Sequence, residues 1–132
     1  MNAFIIELEN KTGALAEITE AIGERGINIT AISGVTAGTV GALGLLTNDE
    51  AGTREVLKSA GTKVREIGLV SVSLEHKAGT LGQIARKLAD AGVNIELLLG
   101  TGMSGSNVTV AIGVDDVAAA QRAIGQTASV QA

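Results

Sequence analysis

The chain opens on a period of two: Phe4, Ile6 and Leu8 interleave with Ile5, Glu7 and Glu9. Such alternation gives one buried face and predicts a strand over residues 3–9. The period then lengthens. Leu15, Ile18 and Ile22 fall at helical spacing and predict a helix over 14–25, with Gly26 as its stop. Strands are predicted over 27–34 and 39–47, the second with Leu43 and Leu45 facing one way. Asn48-Asp49-Glu50 looks like a cap, and Thr47 and Glu50 have the spacing of a capping box, before a short helix over 51–60; a fourth strand begins near Lys63.

From there the order starts again. Val70, Val72 and Leu74 alternate with Ser71, Ser73 and Glu75 and predict a strand over 69–75. Leu81, Ile84, Ala85 and Leu88 form the stripe of a helix over 80–91, with Thr80 and Gln83 as its capping box. Strands over 93–100 and 107–114, a helix over 116–125 capped by Asp115, and a closing strand over 127–130 complete the second round. The repetition is also written in residue identities. Glu9, Lys11, Gly13, Leu15, Ile18, Gly26, Asn28 and Ile29 recur 66 positions later as Glu75, Lys77, Gly79, Leu81, Ile84, Gly92, Asn94 and Ile95.

The predicted fold class is therefore α+β. Two ferredoxin-like βαββαβ units occupy residues 1–67 and 68–132, each an antiparallel sheet with its helices on one face. Only Ile67 and Gly68 separate the last strand of one unit from the first strand of the next. The open sheet face of the first unit is expected to carry Ile5, Ile32, Val40, Ala42 and Leu46, an apolar set. That of the second is expected to carry Ser71, Ser73, Glu75, Glu96 and Thr109, a polar set. An apolar sheet face is a contact surface, so the reading predicts a homodimer or a tight domain contact through the first unit.

Composition narrows the functions. There is no cysteine, which removes disulfides, zinc–thiolate sites, iron–sulfur clusters and thiol nucleophiles. The net charge is −4, shared as −3 and −1 between the halves, so neither half is a basic patch for nucleic acid or an anionic membrane. One Phe and no Trp or Tyr leave no platform for stacking bases. No apolar run approaches the ~20 residues that span a bilayer, and the first residues lack a charged leader, so the chain reads as cytoplasmic. Neither a cofactor nor a metal site is expected: Asp115 and Asp116 read as a helix N-terminus. The glycine-rich stretches 33–44 and 100–106 lack phosphate-loop spacing and read as hairpin turns.

The informative segments are the loops between first strand and first helix, Asn10–Gly13 and His76–Gly79. A glycine at a helix start permits close approach by a ligand, and the free N–H groups there attract a carboxylate. Asn10 and His76 can add hydrogen bonds, and Asn28 and Asn94 can offer amides that suit a zwitterion. The same residues also suit plain tight turns and local backbone caps. His76, the only histidine, stands beside Glu75 on a strand, where neighbours face opposite ways, so no catalytic dyad is expected.

The run Glu-Asn-Lys-Thr-Gly-Ala-Leu, a helix, then Gly-Ile-Asn-Ile resembles the ACT domain, a small amino-acid-binding regulatory module. Glu-His-Lys-Ala-Gly-Thr-Leu through Gly-Val-Asn-Ile resembles it equally, so the whole chain is similar to the stand-alone tandem ACT proteins. The resemblance implies a non-catalytic amino-acid sensor with sites at interfaces between units. By position it implicates Asn10, Thr12, Gly13, Ala14, Asn28 and Ile29, with His76, Gly79, Thr80, Asn94 and Ile95 in the second copy. Thr12 and Ala78 stand where the family loop often has proline, and His76 replaces Asn10, so the copies are expected to differ. The alternative is a regulatory subunit of a metabolic-enzyme partner, such as the small subunit of acetolactate synthase. An acylphosphatase-like enzyme would need an Arg in a phosphate-cradling loop, a context that none of the arginines has. An RNA-binding module would need strand aromatics.

Overall fold

The opening period-two run forms β1 (Asn2–Glu9), with Phe4 and Ile6 buried and Glu7 and Glu9 exposed. The computed structural model describes residues 1–125 and the backbone of 129–131. After β1 come α1 (Ala14–Glu24), β2 (Ile29–Ala37), β3 (Val40–Thr47), α2 (Glu50–Ser59) and β4 (Lys63–Glu75). The order then repeats as α3 (Thr80–Asp90), β5 (Ile95–Ser104), β6 (Asn107–Val114), α4 (Val117–Ile124) and β7 (Ser129–Gln131). Thr127 and Ala128 of the expected closing strand lie outside the described residues. The chain is α+β and divides into two compact units: Asn2–Glu66, and Ile67 onward with Met1. β4 continues through Ile67 and Gly68, where the sequence predicts a break.

In the first unit the strand order is β2–β3–β1–β4, Lys63–Glu66 being its share of β4. Phe4 lies opposite Leu45 and Ile6 opposite Leu43 in an antiparallel pair. These four pack under Ile18 and Ile22 of α1 and Val56 and Leu57 of α2. The buried stripe of α1 is Ala14, Ile18 and Ile22, at i, i+4 and i+8; Leu15, expected in that stripe, is 51% exposed. The second unit is built likewise, in the order β7–β4–β6–β5. Val70, Val72, Leu74, Ile112 and Val114 pack under Ile84 and Leu88 of α3 and Ala120 and Ile124 of α4. Here too the residue of the first helical turn, Leu81, is exposed.

The helix starts differ from the capping boxes expected. α2 and α4 are capped by Asp49 and Asp116, which accept from the Gly52 and Ala119 N–H groups at 2.9 and 3.0 Å. Thr47 bonds Thr53 instead. Asp115 accepts from the Asn94 N–H at 2.9 Å, as Asn48 Oδ1 does from the Asn28 N–H at 3.0 Å. Thr80 is the first residue of α3, and its hydroxyl donates back to the Glu75 carbonyl at 2.8 Å.

A β-bulge at the start of β2, between Ile29 and Ala31, corrects the expected faces. The extra residue puts Ile32 opposite Leu45, on the helix side of the sheet, instead of on the open face. Ala31 and Val35 take its place beside Leu46 and Ala42. β5 has the same bulge between Ile95 and Leu97, so Leu97 and Leu99 join Leu69, Ser71 and Ala111. The open face of the second unit is therefore mixed, not polar. β5 carries a further irregularity between Gly100 and Gly102, one residue longer than β2, so the repeat offset passes from 66 (Asn28 and Asn94) to 67 (Asp49 and Asp116). The glycine-rich stretches are mostly strand, turning only at residues 38–39 and 105–106.

In the first unit, Glu66 on β4 takes hydrogen bonds from the Arg54 guanidinium on α2 and, at 3.2 Å, from the Asn2 amide on β1. The Arg54 hydrogen bond holds the Glu66 carboxyl below its ordinary value. A lowered folded-state pKa contributes stability above the unfolded value, ~4.3, and loses it as pH falls through the folded one. Wild type should therefore lose melting temperature below about pH 4.3 faster than Glu66→Gln, in melts followed by circular dichroism. Glycine substitutions test the packing. A Cβ at Gly113 would lie 2.9 Å from Leu97 Cβ and 3.2 Å from Ile67 Cγ2, whereas one at Gly23 in α1 meets nothing within 4 Å. Gly113→Ala should cost about 1–3 kcal/mol by overpacking, and Gly23→Ala should gain about 0.5 kcal/mol, both read by urea denaturation.

Candidate functional site

Leucines and glycines at the loop end of the first unit frame a cleft of about 490 Å³. That volume lies in the ~300–1,000 Å³ range of small-molecule sites. Its near wall is the β1–α1 loop and first helical turn: Glu9, Asn10, Lys11, Ala14 and Leu15. Its floor is the helix-side surface of the sheet beyond the end of α1, where Leu8, Ile32, Gly34, Thr36, Gly41 and Leu43 lie.

Local chemistry shapes the loop. Gly13 stands before α1 with φ 90, and Gly79 stands before α3 with φ 92, in the left-handed region that favours glycine. Neither helix has a side-chain cap, in contrast to α2 and α4. The Gly13 carbonyl takes the Glu17 N–H at 3.0 Å and the Lys11 carbonyl takes that of Ala14 at 3.3 Å. The first turn of α1 thus presents uncapped N–H groups at the positive end of the helix dipole. Asn10 is fixed in place: its amide donates to the Gly38 carbonyl at 2.8 Å and its own N–H to the Thr39 carbonyl at 3.0 Å. Loop and β2–β3 hairpin are tied together at the cleft mouth. Lys11 pairs with Glu9 at 3.5 Å, and Lys77 pairs with Glu75 at 2.9 Å, all four exposed. Such surface pairs contribute little stability.

Of the residues singled out in the first copy, the fold gathers Asn10 and Ala14 at the cleft, while Thr12 and Gly13 are exposed in the loop outside its lining. Asn28 and Ile29 stand elsewhere. Ile29 pairs with Thr47 at one end of β3, whereas Val40 at the other end pairs with Glu9. At ~3.3 Å per residue the two sets are separated by ~25 Å within one unit. In the second copy the His76 N–H donates to the Ser106 carbonyl at 2.9 Å, and its side chain is exposed. Thr80 borders a smaller groove of about 260 Å³ with Lys77, Gln83 and Lys87. Gly79 is exposed in the loop, and Asn94 stands just before Ile95 opens β5 at the far end, as Asn28 stands before Ile29 and β2. The sequence reading missed Leu15, Ile32, Gly34, Thr36 and Gly41. A large apolar residue in the first helical turn, ahead of the buried stripe, was the available signal for Leu15. The bulge that turns Ile32 toward the cleft leaves no such mark.

Residues 3–61 match the family model of the ACT domain. No curated protein matches the sequence. Among solved structures, a protein from Bacteroides thetaiotaomicron superposes with a TM-score of 0.81 at 23% identity, covering 98% of this chain and 90% of that one. The ligand-free regulatory subunit of aspartate kinase from Thermus thermophilus gives 0.64 at 22% identity, covering 95% and 89%. The Thermus flavus counterpart gives 0.65 at 20% identity, covering 95% and 91%. At these identities the likeness is one of fold.

The Asn10 tether and its histidine counterpart should separate by mutation. Asn10→Ala removes a hydrogen bond and should cost about 1 kcal/mol, whereas His76→Ala should stay within about 0.5 kcal/mol, both by urea denaturation. Equal costs would refute the assigned difference between the loops.

Proposed function

We propose, from the match of residues 3–61 to the ACT domain model, that the protein is a small regulatory protein that binds an amino acid. The observation that carries this reading is the cleft where the uncapped start of α1 meets an apolar sheet surface. The helix end suits a carboxylate, the Asn10 and Glu9 side suits the rest of a zwitterion, and the floor suits a side chain. Asn28 and Asn94 lie too far from their own loops to share that ligand. In this reading they meet a ligand at an inter-domain or inter-subunit interface, and the working form is a homodimer. Occupancy would then favour one arrangement of units, which a partner reads. No catalytic step is assigned to any residue. Among the described residues no helix is long and apolar enough to cross a membrane, and no three His, Asp or Glu side chains group as a metal site.

A second reading is a regulatory subunit of an amino-acid biosynthetic enzyme, favoured by the fold shared with the aspartate kinase regulatory subunits. Recovery of a catalytic subunit with the tagged chain from its own cells would favour it.

The direct test is melting temperature, by circular dichroism, against each of the twenty amino acids. A ligand at ~100 times its dissociation constant stabilises by ~2.7 kcal/mol, enough to raise the midpoint by several degrees. One or a few amino acids should do so, and Asn28→Ala should weaken them without lowering the unliganded midpoint as Asn10→Ala does. If none of the twenty moves the midpoint, the protein is not an amino-acid sensor.

A further inference from the structure

Gly41 is a glycine that the chain itself does not require. It sits inside β3, opposite Leu8 on one side and Thr36 on the other, with no positive φ. A Cβ built there would meet the Leu8 carbonyl at 3.5 Å, Thr36 Cγ2 at 3.6 Å and the Val35 carbonyl at 3.7 Å, all ordinary contacts. Neither backbone conformation nor packing explains the missing side chain, and glycine inside a strand weakens it. At the matching register place of the second unit, opposite Leu74 and Met103, stands Val108. The fold therefore takes a β-branched residue there, as strands prefer.

Gly41 is itself buried, and it is one of the residues that line the cleft floor. Around it the helix-side surface is Leu8, Gly34, Leu43 and Ile32, with Leu15 as the wall. Ile32 and Leu15 are about half exposed, so large apolar side chains face an empty space. The charged members of the lining, Glu9 and Lys11, are at the loop end and pair with each other. No charged side chain lines the floor to meet a charged group.

We propose that this cleft selects an amino acid with an uncharged aliphatic side chain, and that Gly41 sets how large that side chain can be. The inference rests on the amino-acid-binding reading above and adds the ligand class and the residue that decides it. The side chain of the ligand lies over the glycine floor between Leu15 and Ile32, and its charged ends stay at the loop.

Titration calorimetry of the full chain with alanine, valine, leucine, methionine, aspartate and lysine tests it, on wild type, Gly41→Ala and Gly41→Val. Wild type should bind leucine, valine or methionine in preference to aspartate and lysine. Gly41→Val should weaken the largest of these about tenfold or more and alanine less, because a pocket registers a single methylene at that level. Gly41→Ala should give the same order with a smaller step, and it guards against a folding defect in the larger variant. Val108→Gly, in the second unit, should leave the leucine affinity unchanged. Preference for aspartate or lysine overturns the inference while leaving the sensor standing, as does an unaltered leucine affinity in Gly41→Val. Binding of none of the six overturns this inference, and it removes the sensor as well where none of the twenty amino acids moves the melting midpoint.

Discussion

Each unit depends on covering one face of a four-stranded sheet with two helices, and it does so almost wholly with aliphatic side chains. Phe4 is the single aromatic residue, and it sits fully buried at the centre of the first core. Elsewhere the burial is shared among Ile, Leu and Val of modest volume. At ~25 cal/mol per Å² of apolar surface, a unit of this size has little burial to spare. The helices accordingly follow their stripes closely: Ala14, Ile18 and Ile22 in one unit, Ile84 and Leu88 in the other. Where the stripe ends, at the first helical turn, the sheet runs on uncovered. The cleft of the first unit is that uncovered remainder, so the same shortage of apolar surface that limits the core also exposes the site.

Much of this was legible in the sequence because two periods, two and 3.6, are written plainly and then written again 66 residues later. The order of elements, the paired cores and the loop glycines Gly13 and Gly79 follow from that alone. The faces were less legible. Alternation assumes an unbroken register, and the bulge at the start of β2 adds one residue that no side chain announces. Everything beyond it changes sides, which is why Ile32 reads as outward from sequence and lies toward the helices in the fold. The threonine capping boxes failed for a related reason, while Asp49 of Asn48-Asp49-Glu50 does cap its helix. Thr47 and Thr80 have the right spacing to cap, but each hydroxyl finds a closer backbone or threonine partner once the preceding strand is in place.

The two copies keep the layer that their cores form and differ in kind around the cleft. Phe4, Ile6 and Leu8 become Val70, Val72 and Leu74 without altering the layer they form. Around the cleft the changes are of another kind. Asn10, tied to the Gly38 carbonyl, becomes His76; Thr36 and Gly41 become Met103 and Val108; and β5 gains a residue absorbed as an irregularity near Thr101.

A substitution in a core must respect its neighbours, because large-to-small and small-to-large changes there each cost stability. A substitution at the cleft answers to a ligand as well. Conservation of layer with divergence of floor is the pattern expected when one fold is kept in duplicate and only one copy keeps room for a side chain. The glycine at 41 fits that pattern better than any account built on folding, since the second unit shows the same strand position filled by valine within an intact sheet. A strand that gives up β propensity at a position where a Cβ would meet only ordinary contacts is shaped by something outside the chain.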